Sequence, residues 1–249
     1  MSLSDDVEPA QGRDGLLARF LRTQWRFLTF GSSPIAREDW ANFLAFALGF
    51  TWLAGLGRYW DHQSAQWWQC AGLGSLAYVF VLSALLWLIG LPVRPRGWSY
   101  SGVLLFVCMT SPPALLYAIP VERMIPLDAA QSVNFWFLAV VAAWRVALLL
   151  RFLAVPCGLG AAALILALVP LACIVVALSY LNLEHATFEL MANGGAIQTP
   201  HDGAYGAVML LTYLSFSAAG PLLLSYLLLI IWRQSAAMVR NRRAGQEDP

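Results

Sequence analysis

Apolar residues fall into six long runs along this chain: Trp40 to Leu56, Cys70 to Leu91, Tyr100 to Ile119, Ala129 to Leu150, Cys157 to Leu181 and Tyr205 to Trp232. A helix needs roughly 20 apolar residues to cross a bilayer, so the pattern predicts an all-α, polytopic membrane protein with six transmembrane helices. Connections are short except for two polar stretches. Residues 1 to 39 read as a cytoplasmic tail, and residues 182 to 203 as an outer loop carrying the turn-formers Asn193, Gly194, Gly195 and Pro200. The chain therefore divides into a tail at 1–39, a six-helix domain at 40–232 and a C-terminal cytoplasmic tail at 233–249.

The tail carries a second pattern. At about 100° per residue, Leu16, Leu17, Phe20, Leu21, Phe27 and Leu28 share one broad face, while Arg19, Arg22 and Arg26 cluster opposite. This is a basic amphipathic helix. It is expected either flat on an anionic inner leaflet, where each surface arginine contributes about 1 kcal/mol, or packed against the cytoplasmic ends of the bundle. Ser33 and Pro34 then read as an N-cap and first helical residue leading into the first span.

Composition supports the membrane reading. Hydrophobic residues make up 59% of the chain and charged residues 12%, against about 25% charged in soluble domains. All fifteen basic residues are arginine, and twelve of them fall on the side shared by the two termini, with Arg58 and Arg123 opposite and Arg145 inside a span. The positive-inside rule places both termini in the cytoplasm. Residues 1 to 14 are polar and acidic rather than a secretory signal, so the first span is expected to act as the insertion signal. Trp60, Trp67, Trp68, Trp98, Tyr100 and Trp232 sit at span ends, where amphipathic rings suit the headgroup layer. Arginine-only usage with abundant alanine, leucine and tryptophan suggests a GC-rich bacterial source, hence an inner (cytoplasmic) membrane.

Candidate chemistry is sparse. Cys70, Cys108, Cys157 and Cys173 lie in or beside apolar runs without CxxC spacing and read as small hydrophobic residues. His62, His185 and His201 all map outside, each beside a carboxylate, and Glu189 follows His185 by one helical turn; these are weak metal candidates, since loops collect ionisable groups without any ligand. Arg145 has three readings: a partner inside the bundle, snorkelling to the inner headgroups, or contact with a substrate. Prolines interrupt the third span at Pro112 and Pro113, the fifth at Pro170 and the sixth at Pro221 after Gly220. Paired broken helices point to a transporter site, which would involve Thr110, Ser111, Arg145 and Gly220. Small residues at four-residue spacing, Ala41, Ala45 and Gly49 then Gly158 and Ala162, are packing signals. No HExxH, GxSxG, P-loop or GxGxxG motif is present. No basic patch interleaved with aromatics points to nucleic acid, and no cofactor is expected.

Arg96-Gly97-Trp98-Ser99-Tyr100, the Pro112-Pro113 helix, the Ile119-Pro120 end, the Phe135-Trp136-Phe137 helix to Leu150 and the following Gly158-Leu159-Gly160 together resemble bacterial members of the Yip1 family in order and pattern. The resemblance covers the middle third of the chain. It implies a membrane scaffold or adaptor without known catalytic residues, built on a five-helix bundle to which the sixth span is an addition or from which it is a divergence, and it carries over no site residues. The function expected is thus non-enzymatic: an adaptor or organiser acting through helix packing and lipid contact, with a membrane-protein partner or a second copy. A small transporter or permease subunit using the broken third and sixth helices is the rival, and a metal-dependent membrane enzyme the third class. For the tail, an isolated peptide with Arg19, Arg22 and Arg26 replaced by glutamine should bind anionic vesicles more weakly than the parent; equal binding contradicts the electrostatic reading.

Overall fold

The computed structural model describes residues 15–31, 39–59, 67–121, 124–180 and 203–244, and among these every regular element is helical. The helices are α1 (Leu16–Leu28), α2 (Trp40–Tyr59), α3 (Trp67–Cys70), α4 (Leu73–Gly90), α5 (Tyr100–Met109), a 3-10 segment (Pro112–Ala118), α6 (Leu127–Ala154), α7 (Ala162–Tyr180) and α8 (Gly203–Ala244). Five of them contain stretches long and apolar enough to cross a membrane: Trp40–Gly57, Leu73–Gly90, Ser132–Ala154, Ala162–Tyr180 and Met209–Val239. At 1.5 Å per residue even the shortest, 18 residues, rises about 27 Å. This is the architecture of a multi-pass membrane protein.

The third apolar run behaves differently. Ser99 caps α5, its Oγ accepting from the Gly102 amide at 3.1 Å, and α5 stops after ten residues at Met109. Pro112 and Pro113 cannot donate to the carbonyls four residues back, so the chain re-forms as a tighter 3-10 turn ending at Ala118. This segment accompanies α2 in parallel, with Thr51 meeting Ser111 and Gly57 facing Ala118 so closely that an added Cβ would lie 2.8 Å from the alanine methyl. Every residue of α5 from Val103 to Met109 is buried. A short helix apolar all round is stable only when surrounded, and α5 is the hub of the bundle.

Other boundaries shift for local reasons. The fifth run begins its helix at Ala162 rather than Cys157, because Gly158 and Gly160 take left-handed conformations at φ +65° and +55°. Gly72, at φ +69°, separates α3 from α4. In the opposite direction, α8 continues past Arg233 to Ala244, since nothing between them breaks a helix. Pro170 and Pro221 both sit inside uninterrupted helices. The expected break in the sixth run is therefore corrected: α8 passes through Gly220 and Pro221 as one helix, the single lost amide bond being tolerated as in many spanning helices.

Packing falls into two joined clusters. One gathers Phe20, Phe43, Ala47, Val79, Leu86, the buried face of α5 and Leu148. The other joins Val93, Leu153, Cys157, Leu159, Ala163, Leu166, Ala167 and Leu229 at the loops after α4 and α6. Phe106 and Phe152 stack at 4.3 Å between them.

The amphipathic pattern in the tail corresponds to α1, with Arg19, Arg22 and Arg26 all exposed. Its apolar side is divided. Phe20 is fully buried, its ring 5.1 to 5.6 Å from those of Phe43, Phe46 and Phe50, and Phe27 meets Phe106 edge-on. Leu17, Leu21 and Trp25 remain exposed. Part of the face expected on lipid is thus committed to protein, because four phenylalanine rings bury more area together than each would alone. The helix ends in a Schellman motif: the Phe30 amide donates to Phe27 O at 3.1 Å and the Gly31 amide to Arg26 O at 2.6 Å, with Phe30 at φ +61°. The Ser33-Pro34 start lies outside the described residues. Phe20→Ala should cost on the order of 3 kcal/mol of α1 docking, read as faster tryptic cleavage at Arg19, Arg22 and Arg26; unchanged resistance contradicts this packing.

Candidate functional site

Carbonyl groups at the end of α5 define the polar centre of the molecule. With Pro112 and Pro113 lacking N–H, the carbonyls of Cys108 and Met109 lose their usual donors, and Thr110 O loses its own because the Ala114 amide turns to Ser111 O at 2.9 Å. Each finds a substitute. Cys108 O accepts from the Ser111 amide at 3.0 Å. Met109 O accepts from Gln24 Nε2 of α1 at 2.6 Å. Thr110 O accepts from Arg145 Nε of α6 at 3.0 Å. Three elements remote in sequence therefore meet at one proline break.

Hydroxyls complete the arrangement. Thr110 Oγ1 donates to Val107 O at 2.7 Å. Thr51 Oγ1 lies 2.9 Å from Ala47 O and 2.9 Å from Ser111 Oγ. One hydroxyl proton cannot serve both, so when Thr51 donates to the Ala47 carbonyl it accepts from Ser111. All three hydroxyl residues are buried, as is Gln24 at 5% exposure. Gln24 Oε1 has no partner among the described residues, and the Met109 carbonyl fixes the amide orientation because it requires the N–H side.

Arg145 reaches the same break from α6. Its partner is main chain rather than a carboxylate: among the described side chains Asp39 is the one carboxylate, and it pairs with Arg19 at 3.0 Å. The guanidinium is half-buried, with one of its five donors on Thr110 O. Trp144, its neighbour, donates Nε1 to Leu28 O at 2.9 Å and fastens the end of α1 to α6.

Of the residues singled out in the sequence, Thr110, Ser111 and Arg145 are brought together. Gly220 is not: it is exposed on α8, with no atom within 4 Å of an added Cβ. His62, His185, Glu189 and His201 lie outside the described residues, and among the described residues no group of His, Cys, Asp or Glu is arranged to hold a metal. Gln24 and Thr51 were not anticipated. The signal for Gln24 was a lone amide on the apolar face of α1, between Phe20 and Phe27; for Thr51 it was a hydroxyl inside an apolar run.

Cys157, in the loop after α6, is buried, and burial pushes its thiol up to about 11. Cys70 is exposed. The chain matches no protein-family model, no curated protein and no solved structure.

Two outcomes follow from this geometry. Arg145→Met leaves Thr110 O without its donor and should cost about 1–3 kcal/mol, seen as a lower Tm in detergent; an unchanged Tm contradicts the bond. At pH 8 a thiol-directed alkylating reagent should modify Cys70 well before Cys157, since only the thiolate reacts; equal rates by mass spectrometry contradict the raised pKa.

Proposed function

We propose that the chain is a non-enzymatic, multi-pass adaptor or organiser of a bacterial inner membrane, of the Yip1-like type that its middle third resembles. It acts through helix packing and lipid contact, on a membrane-protein partner or a second copy. The carrying observation is how these polar groups are used: the buried Gln24 and Thr51, and one donor of the half-buried Arg145, go to the main chain and a hydroxyl of the α5 break. Such groups knit helices together.

The surface is consistent with a packing role. Along α8 the exposed residues include Leu210, Leu214, Leu224, Leu228 and Ile231, an apolar face for lipid or a neighbouring helix. The permease alternative loses its paired break, because Gly220 stands away from Thr110, Ser111 and Arg145 and α8 is continuous.

In this reading the protein crosses the bilayer six times with both termini in the cytoplasm. The third crossing is the broken one: α5 rises about 15 Å and the 3-10 segment about 14 Å, together close to the roughly 30 Å of a hydrocarbon core. Its parallel course beside α2 supports this. α1 is docked against α2, α5 and α6, with Leu17, Leu21, Trp25, Arg19, Arg22 and Arg26 on its exposed side.

Two measurements check the proposal. In intact spheroplasts a membrane-impermeant maleimide should label Cys70 from outside, and Cys70→Ser should remove the label; labelling only after lysis contradicts the topology. A photo-crosslinking residue at Leu228 in native membranes should give a protein adduct of defined mass. Lipid adducts alone, as from a lipid-facing position such as Val81 of α4, contradict the adaptor role.

A further inference from the structure

A second polar centre lies away from the α5 break, where the loop after α4 (91–99) meets the loop after α6 (155–161). The Arg96 amide donates to Cys157 O at 3.0 Å and ties the loops together. Both are tightly wound, with Arg94 at φ +49°, Gly97 at +63°, Gly158 at +65° and Gly160 at +55°. The Arg96 side chain lies along Gly158, so that an alanine Cβ there would stand 3.0 Å from Arg96 Cδ and 3.1 Å from Nη1. From α8, Arg233 Nη1 approaches Val93 O at 3.4 Å and Nη2 approaches Gly158 O at 3.5 Å. Two guanidinium groups are thus drawn to one glycine.

These contacts hold the arginines without consuming them. Both Arg233 bonds are long, and a guanidinium has five donors. Arg94 and Arg96 are exposed. The one carboxylate described, Asp39, is engaged with Arg19 of α1. Like charges converge here with no anion among the described side chains to balance them.

The chemistry of the surroundings selects the anion. The loops follow directly on the ends of the candidate spans Leu73–Gly90 and Ser132–Ala154 and precede Ala162–Tyr180, which is headgroup depth. Trp98 closes one flank, its Nε1 on Trp87 O at 3.0 Å and its ring against Gly90 and beside Phe152. Tyr226 of α8 donates to Ile89 O at 2.6 Å on the other. Planar guanidinium forks match phosphate oxygens two at a time, and an indole beside them suits the base of an acyl chain.

We propose that Arg94 and Arg96 of the loop after α4, with Arg233 of α8, bind a phosphate anion, supplied by the headgroup of an anionic phospholipid. The assignment rests on the reading that the chain spans a bilayer, and it is separate from the electrostatic attraction of the α1 arginines.

Full-length protein in gentle detergent, titrated with phosphatidylglycerol or phosphatidylcholine and followed by native mass spectrometry, tests it. Wild type should retain at least one phosphatidylglycerol in preference to phosphatidylcholine, and R96Q/R233Q should bind it about tenfold more weakly. R13Q/R37Q removes the same charge elsewhere and should bind as wild type. Should R96Q/R233Q fail to fold, R96Q alone, at an exposed position, carries the comparison with R13Q. Equal loss in the charge-matched control, or no preference between the lipids, overturns the site. Displacement of the lipid by millimolar inorganic phosphate overturns the headgroup as source in favour of a soluble phosphate; persistence supports the lipid. Alkaline extraction of membranes separates the premises: a chain retained in the membrane but indifferent to phosphatidylglycerol defeats the site alone, whereas an extracted chain defeats the spanning reading too.

Discussion

A main-chain carbonyl in the interior of a membrane protein must find a donor, because no water is at hand to serve it. In this chain Pro112 and Pro113, with the 3-10 turn they begin, create that demand at the carbonyls of Met109 and Thr110, and much of the architecture follows from how it is met. Gln24 reaches one from α1 and Arg145 reaches the other from α6. An unmet buried carbonyl costs about 1–3 kcal/mol, a large fraction of a domain's net stability of about 5–15 kcal/mol. The break is therefore a junction rather than a weak point. It makes α1, which is separated from α5 by about 80 residues of sequence, a structural part of the bundle.

From the junction an aromatic path leads to the second polar centre. Phe27 of α1 touches Phe106 of α5, Phe106 stacks on Phe152 of α6, and Phe152 lies beside Trp98 in the loop that carries Arg94 and Arg96. Close-packed interiors transmit displacement, so α1 and the arginine-bearing loop are joined by contact.

How much of this was legible in the residues varies by element. Five spanning helices were plain because apolar length alone specifies them. The third run was legible as interrupted, since Pro112 and Pro113 remove donors whatever surrounds them, but its division into α5 and a 3-10 turn was not, because that depends on Thr51 and Gly57 of α2 lying alongside. Pro221 looked equivalent and is not: one proline in a long helix is absorbed, while two in succession beside Thr110 and Ser111 end it. For Arg145 the sequence left a partner in the bundle, snorkelling and substrate contact open; the bond its Nε makes goes to a carbonyl, which no side-chain pattern announces. For α1 the basic and apolar faces were visible in the periodicity. That Phe20 would turn toward three phenylalanines of α2 was not, since amphipathicity gives the same signal for a helix on lipid and one on protein.

The most direct test of the account reads the two carbonyls themselves. Isotope-edited infrared spectroscopy of the reconstituted protein, with 13C=18O placed at Met109 or at Thr110, reports whether each carbonyl is hydrogen-bonded. The account predicts that Gln24→Leu moves the Met109 band to the higher frequency of an unbonded carbonyl and leaves the Thr110 band in place, and that Arg145→Met does the reverse. Bands that stay where they are in both variants would contradict it.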